Sequence, residues 1–208
     1  MVSRMLSCRP VLNRVTIASS AGRFESFGFD TQLNNSGEVA FTGQLDDGNR
    51  GLFSGSGGAV TTHYLDSTPV LVDGETTDLS GGNFGRPAIN RAGELAFFDF
   101  VEPDFSQGIF AGRSGVFRTL GPTEPNRQYR DPNLNDSGIG AFETSFFNDA
   151  GLFATAIVTS NEGVLSTVAD TLNGYGGFGF YAPAINNRGQ VAFEGLLPDF
   201  TTDGVFTG

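Results

Sequence analysis

Asn34-Asn35-Ser36-Gly37-Glu38-Val39-Ala40-Phe41 is the stretch on which the fold turns, because the chain repeats it three more times. Asn90-Arg91-Ala92-Gly93-Glu94-Leu95-Ala96-Phe97 follows, then Asn135-Asp136-Ser137-Gly138-Ile139-Gly140-Ala141-Phe142 and Asn186-Asn187-Arg188-Gly189-Gln190-Val191-Ala192-Phe193. The shared skeleton is Asn-x-x-Gly-x-x-Ala-Phe, with Leu or Ile before each Asn. An Asn side chain that accepts backbone N–H groups two residues on, followed by a Gly free to take positive φ, predicts a tight turn. A type I turn closed by a left-handed Gly is the usual three-residue hairpin with a bulge. Asn34, Gly37, Asn90, Gly93, Asn135, Gly138, Asn186 and Gly189 are therefore read as structural turn residues. Beyond each turn the alternation of Ala and Phe puts a small residue on one face of a strand and a large one on the other.

Working outward, each turn is followed by a Gly-x-Phe phrase: Gly51-Leu52-Phe53, Gly108-Ile109-Phe110, Gly151-Leu152-Phe153 and Gly204-Val205-Phe206. In the first three repeats a β-branched run comes next, as in Val116-Phe117-Arg118-Thr119-Leu120. About four short strands per unit, with the key Asn residues 56, 45 and 51 positions apart, predict propeller blades. The reading is a single all-β domain over residues 1–208, a four-bladed β-propeller-like ring whose repeats centre on Asn34, Asn90, Asn135 and Asn186. Residues 1–10 form a tail. The fourth repeat has no β-branched run after Gly204-Val205-Phe206, and Val11 to Ala18 reads as a strand without a place in the first repeat. The expectation is a ring closed by that N-terminal strand against residues 203–208, with an open array of joined copies as the alternative. Repeats two and four share Pro-Ala-Ile-Asn and Pro-Asp-Phe, which suggests doubling of a two-blade unit.

The four phrases resemble the repeats of the NxxGxxAF tandem-repeat family, over nearly the whole chain from about residue 11 onward. The resemblance implies an exported, surface-associated repeat protein of extracellular or cell-surface location, and the function expected here is a non-enzymatic structural, adhesive or self-assembling role. It supplies no catalytic residues to carry over. No secretory apolar core is readable at the N-terminus, since Arg4 and Arg9 interrupt it.

Composition narrows the chemistry. The formal net charge is −11, and the basic residues are all Arg. Such a surface repels nucleic acid and anionic lipid, so neither nucleic acid nor membrane insertion is expected. One cysteine, Cys8, excludes an internal disulfide. His63 is the only histidine and has no Cys or His companion, which argues against zinc and reads as a solvated or core-edge residue. No catalytic residue and no cofactor is assigned. Glu38 and Glu94 follow the turn Gly in two repeats, and paired carboxylates of that kind leave a glycoside hydrolase as a third reading. Asp46, Asp47, Asp104, Asp199 and Asp203 precede or flank the Gly-x-Phe phrases and are weak calcium-type candidates, at spacings that differ in every repeat. The expected partners are the protein itself, as an oligomer or filament, or surface glycans. A lectin-like propeller is the alternative function, with the absence of Trp counting against it.

Overall fold

The computed structural model of the chain describes residues 14–80, 85–179 and 181–208. It is all-β: four small sheets arranged as a four-bladed ring, with no helix among the described residues. Blade one is β1 (Phe24–Leu33), β2 (Val39–Leu45), β3 (Arg50–Gly55) and β4 (Thr61–Leu65), an antiparallel meander. Blade two carries β5 (Val70–Val72), β6 (Glu75–Thr77), β7 (Ala88–Ile89), β8 (Leu95–Val101), β9 (Ser106–Arg113) and β10 (Val116–Gly121), in the order β6-β5-β10-β9-β8-β7. Blade three holds β11 (Gln128–Tyr129), β12 (Asn133–Leu134), β13 (Gly140–Phe147), β14 (Phe153–Asn161) and β15 (Val164–Asp170). Blade four holds β16 (Gly177–Phe178), β17 (Ala184–Ile185), β18 (Val191–Leu196) and β19 (Asp203–Thr207).

The turns form as the sequence dictates. Gly37, Gly93, Gly138 and Gly189 have φ of +82°, +76°, +79° and +82°, conformations that a side chain would strain. The Asn34 Oδ1 accepts the N–H groups of Ser36 and Glu38, and its carbonyl accepts the Gly37 N–H. Asn90, Asn135 and Asn186 repeat those bonds.

Between blades, the Ala face of each sheet seats the Phe face of the next. Leu52 and Tyr64 of blade one pack on Phe97, Phe110 and Phe117 of blade two. Ala96, Ala111 and Ile109 of blade two meet Phe142 and Val158 of blade three. Ala141 and Ile157 of blade three meet Val191 and Phe193 of blade four. Each buried Phe contributes roughly 1.5–3 kcal/mol of transfer free energy, so these three interfaces hold the ring. The small Ala is what lets the large ring of the next sheet approach.

The fourth interface departs from this pattern, and the expected closing strand does not extend over its described residues. Arg14 to Ile17 form no strand and make no ladder with β19, while Val11 to Asn13 lie outside the described residues. Ile17 and Ala18 instead pack on the Phe face of blade one, over the cluster of Phe24, Phe41 and Phe53. Gly55 leaves the room: a Cβ there would stand 3.1 Å from the Ile17 side chain. Burying Ile17 against three aromatic rings satisfies its apolar surface without a backbone partner. No hydrophobic cluster of the described residues joins blade four to blade one. Blade two also differs from expectation, because β5 and β6 form an extra hairpin through an Asp73-Gly74 turn with both residues at positive φ. β5 runs parallel to β10 and covers its outer edge.

Candidate functional site

The four repeated turns converge on one cavity of about 280 Å³ at the centre of the ring. Its wall is made of four equivalent tripeptides, Leu33–Asn35, Ile89–Arg91, Leu134–Asp136 and Ile185–Asn187. The Asn that opens each turn is consumed by structure. Beyond capping its own turn, Asn34 donates its amide to the carbonyl of Asn90 at 2.9 Å, Asn90 donates to Asn135 at 3.3 Å, and Asn135 to Asn186 at 3.2 Å. The series stops there, since the Asn186 amide turns to Gln190 at 3.3 Å. The following position supplies the chemistry of the rim: Asn35, Arg91, Asp136 and Asn187. Asp136 accepts the Arg91 N–H at 2.8 Å and the Asn187 amide at 2.7 Å. The rim thus carries one guanidinium, one carboxylate and two amides above aliphatic Leu and Ile, an amphipathic lining suited to a small neutral polar molecule.

A second polar cluster lies buried between blades one and two. Ser54 Oγ donates to Glu38 Oε1 at 2.5 Å and stands 2.7 Å from His63 Nε2. The backbone N–H of Ser114 in blade two donates to His63 Nδ1 at 3.2 Å. With Nδ1 accepting, the proton of the neutral ring sits on Nε2, which then donates to Ser54. Burial first, and the Arg113 charge after it, push the His63 pKa down to about 4 against the pull of Glu38. Protons therefore run from His63 to Ser54 to Glu38, the reverse of a triad in which histidine takes the serine proton. The bulged position of His63 on β4 corresponds to Leu120 on β10 and Val168 on β15, both at blade interfaces. This cluster is a polar version of an interblade contact that the other interfaces make with apolar side chains. Glu94 is likewise engaged in its own interface, paired with Arg118, so Glu38 and Glu94 are held by separate partners rather than facing each other across a pocket.

The acidic candidates sit in three separate hairpins that join the second and third strands of blades one, two and four. Asp47 accepts the Asn49 N–H, Asp104 accepts from Ser106, and Asp199 from Thr201 and Thr202. Those bonds hold Asp104 below the usual carboxylate range and bring Asp199 to about 2. Asp46 lies beside Asp47, and Asp203 opens β19. The structure does not bring these carboxylates together: no group of three or more His, Cys, Asp or Glu fit for a metal ion occurs among the described residues.

Sequence reading identified the turn Asn and Gly residues but not the cavity, because Asn35, Arg91, Asp136 and Asn187 share no residue type. Their equivalence lies only in position, one past each key Asn. Ser54 and Ser114 were missed for a similar reason, being meaningful only once two blades are packed. The model of a family of unknown function, DUF7453, matches residues 10–207 of this chain. No curated protein matches it.

Proposed function

From the premise that the chain belongs to DUF7453, whose function is unknown, we propose that it is a non-enzymatic repeat protein with a structural, self-assembling role. The resemblance of its repeats to exported surface proteins supports an extracellular or cell-surface setting. The observation that carries the reading is the bare fourth interface. Val205 on β19 occupies the place of Leu52, Ile109 and Ile157, which are 0%, 0% and 2% exposed, yet it is 76% exposed. Ala184 is exposed where Ala88 is buried, and Leu33 across the seam is exposed where Ile89 and Leu134 are buried. A face built to seat another blade and left open is an assembly surface. The proton order in the Glu38–Ser54–His63 cluster supports the non-enzymatic half of the reading.

Sedimentation across a concentration series tests the proposal. Self-association above the 22.0 kDa chain mass is expected, and a monomer at every concentration into the hundred-micromolar range would overturn it. A second reading, a lectin-like module, is favoured by the central cavity alone, where Arg91 and Asp136 stand over Ile89 and Leu134. A glycan array separates the two: binding lost in Arg91→Ala would support the second.

A further inference from the structure

We propose that the outer edge of β19 is the joint through which a second copy of this chain is added, antiparallel and about a two-fold axis at Val205. This rests on the self-association reading above and names its surface.

Hydrogen-bond parity decides which residues of β19 face outward. Val191 and Gly208 exchange both backbone bonds, at 2.8 and 3.0 Å. In an antiparallel ladder bonded and non-bonded pairs alternate, so Phe206 and Gly204 bond inward to Phe193 and Gly195. Asp203, Val205 and Thr207 then direct their N–H and C=O groups outward, and no strand of the described residues meets them. An unpaired row of that kind is a template for another strand.

The other outer edges are guarded. The β3–β4, β9–β10 and β14–β15 ladders each carry a register shift, and a bulge spoils an edge for pairing. β5 also covers β10. The β18–β19 ladder runs without a shift, and β19 holds neither Pro nor a basic residue.

The sequence of β19 is self-complementary in one register. Centred on Val205, the pairing sets Val205 against Val205 of the second copy, and each outward-facing residue exchanges both of its bonds. Asp203 falls opposite Thr207 of the copy, so no two carboxylates meet. Phe206 falls opposite Gly204 of the copy, and each Phe206 ring stays over Gly204 of its own chain. A register centred on Asp203 would oppose two like charges. Val205, exposed on the bare Ala face, meets Val205 of the copy at the axis, so the pairing covers the apolar surface that borders this edge. Blade one of a second copy is a poorer occupant, because Ile17 and Ala18 already cover its Phe face. The arrangement is isologous and closes at two copies.

The test is sedimentation of the full chain and of Val205→Lys, with amide hydrogen exchange read at Thr207. The wild-type chain should reach twice its 22.0 kDa mass, with Thr207 protection that rises with concentration. Val205→Lys, which places two ammonium groups at the two-fold axis, should be monomeric with unchanged far-ultraviolet circular dichroism and an unprotected Thr207 amide. A wild-type oligomer that Val205→Lys leaves intact overturns this joint while the self-association reading stands. A monomer at all concentrations overturns both, and a Thr207 amide protected in that monomer would assign the edge to another segment of the same chain.

Discussion

The Asn34 side-chain amide donates to the backbone carbonyl of Asn90, 2.9 Å away and 56 residues later. That bond turns a local turn residue into a tie between blades. Since the same Asn also caps its own turn through Oδ1, one side chain fixes both the hairpin and its neighbour. A buried group with that many partners is costly to remove.

Asn90→Ala should therefore destabilise by about 2–4 kcal/mol, through the loss of two backbone caps and the bond to Asn135 in a buried setting. Asn186 makes the same turn but is exposed and spends its amide on Gln190 of its own turn instead of on another blade, so Asn186→Ala should cost about 1 kcal/mol. Urea titration of both variants measures the difference. Equal losses would show that the interblade bond contributes nothing.

The turn glycines offer a separation of strain from crowding. Gly37→Ala meets nothing within 4 Å and carries only the strain of φ +82°, about 1 kcal/mol. At Gly93 an added Cβ would also lie 2.9 Å from the Glu38 carboxylate, the anchor of the Ser54–His63 cluster. Gly93→Ala should cost more than Gly37→Ala by roughly 1 kcal/mol. Thermal unfolding of the two variants side by side checks the order.

The same repeat equivalence predicts opposite outcomes for two like residues. Leu52 is fully buried against blade two, and Leu52→Ala should cost about 2–5 kcal/mol, as should Phe97→Ala at about 3–5 kcal/mol. Val205 holds the position of Leu52 in blade four, yet Val205→Ala should stay within about 0.5 kcal/mol under dilution to the monomer. A large loss at Val205 in the monomer would mean that its own chain covers it.

The ring was legible in the sequence because its turns, its alternating Ala and Phe, and its blade spacing are all local signals repeated in register. Phe41, Phe97, Phe142 and Phe193 are buried at equivalent positions as the alternation requires. What failed to show was anything decided between repeats. Val11 to Ile17 alternates like a strand, but alternation says only that apolar side chains will be buried, and in the described part, from Arg14 onward, Ile17 achieves this by packing on blade one. The β5–β6 hairpin carried a local signal in Asp73-Gly74, overlooked because it has no counterpart in the other repeats. The cavity rim was hidden because Asn35, Arg91, Asp136 and Asn187 acquire a common role only when the ring brings them together.

His63 couples the stability of the ring to pH. Folding lowers its pKa from 6.5 to about 4, chiefly through burial, so the unfolded chain binds a proton in that interval that the folded chain refuses. The stabilising contribution is complete above pH 6.5 and is lost as pH falls toward 4, on the order of 2–3 kcal/mol. Other groups titrate there as well, including buried Glu143, whose pKa burial raises and whose contribution runs the opposite way. The contrast must be made within one position. His63→Leu combined with Ser54→Ala copies the Leu120 and Ala111 of blade two, whose interface is apolar and buried. That double variant should fold, and its midpoint should fall less than the wild type's between pH 7 and pH 4. Identical pH profiles for the two chains would show that folded His63 takes up its proton as readily as the unfolded chain does, against a ring held neutral by burial.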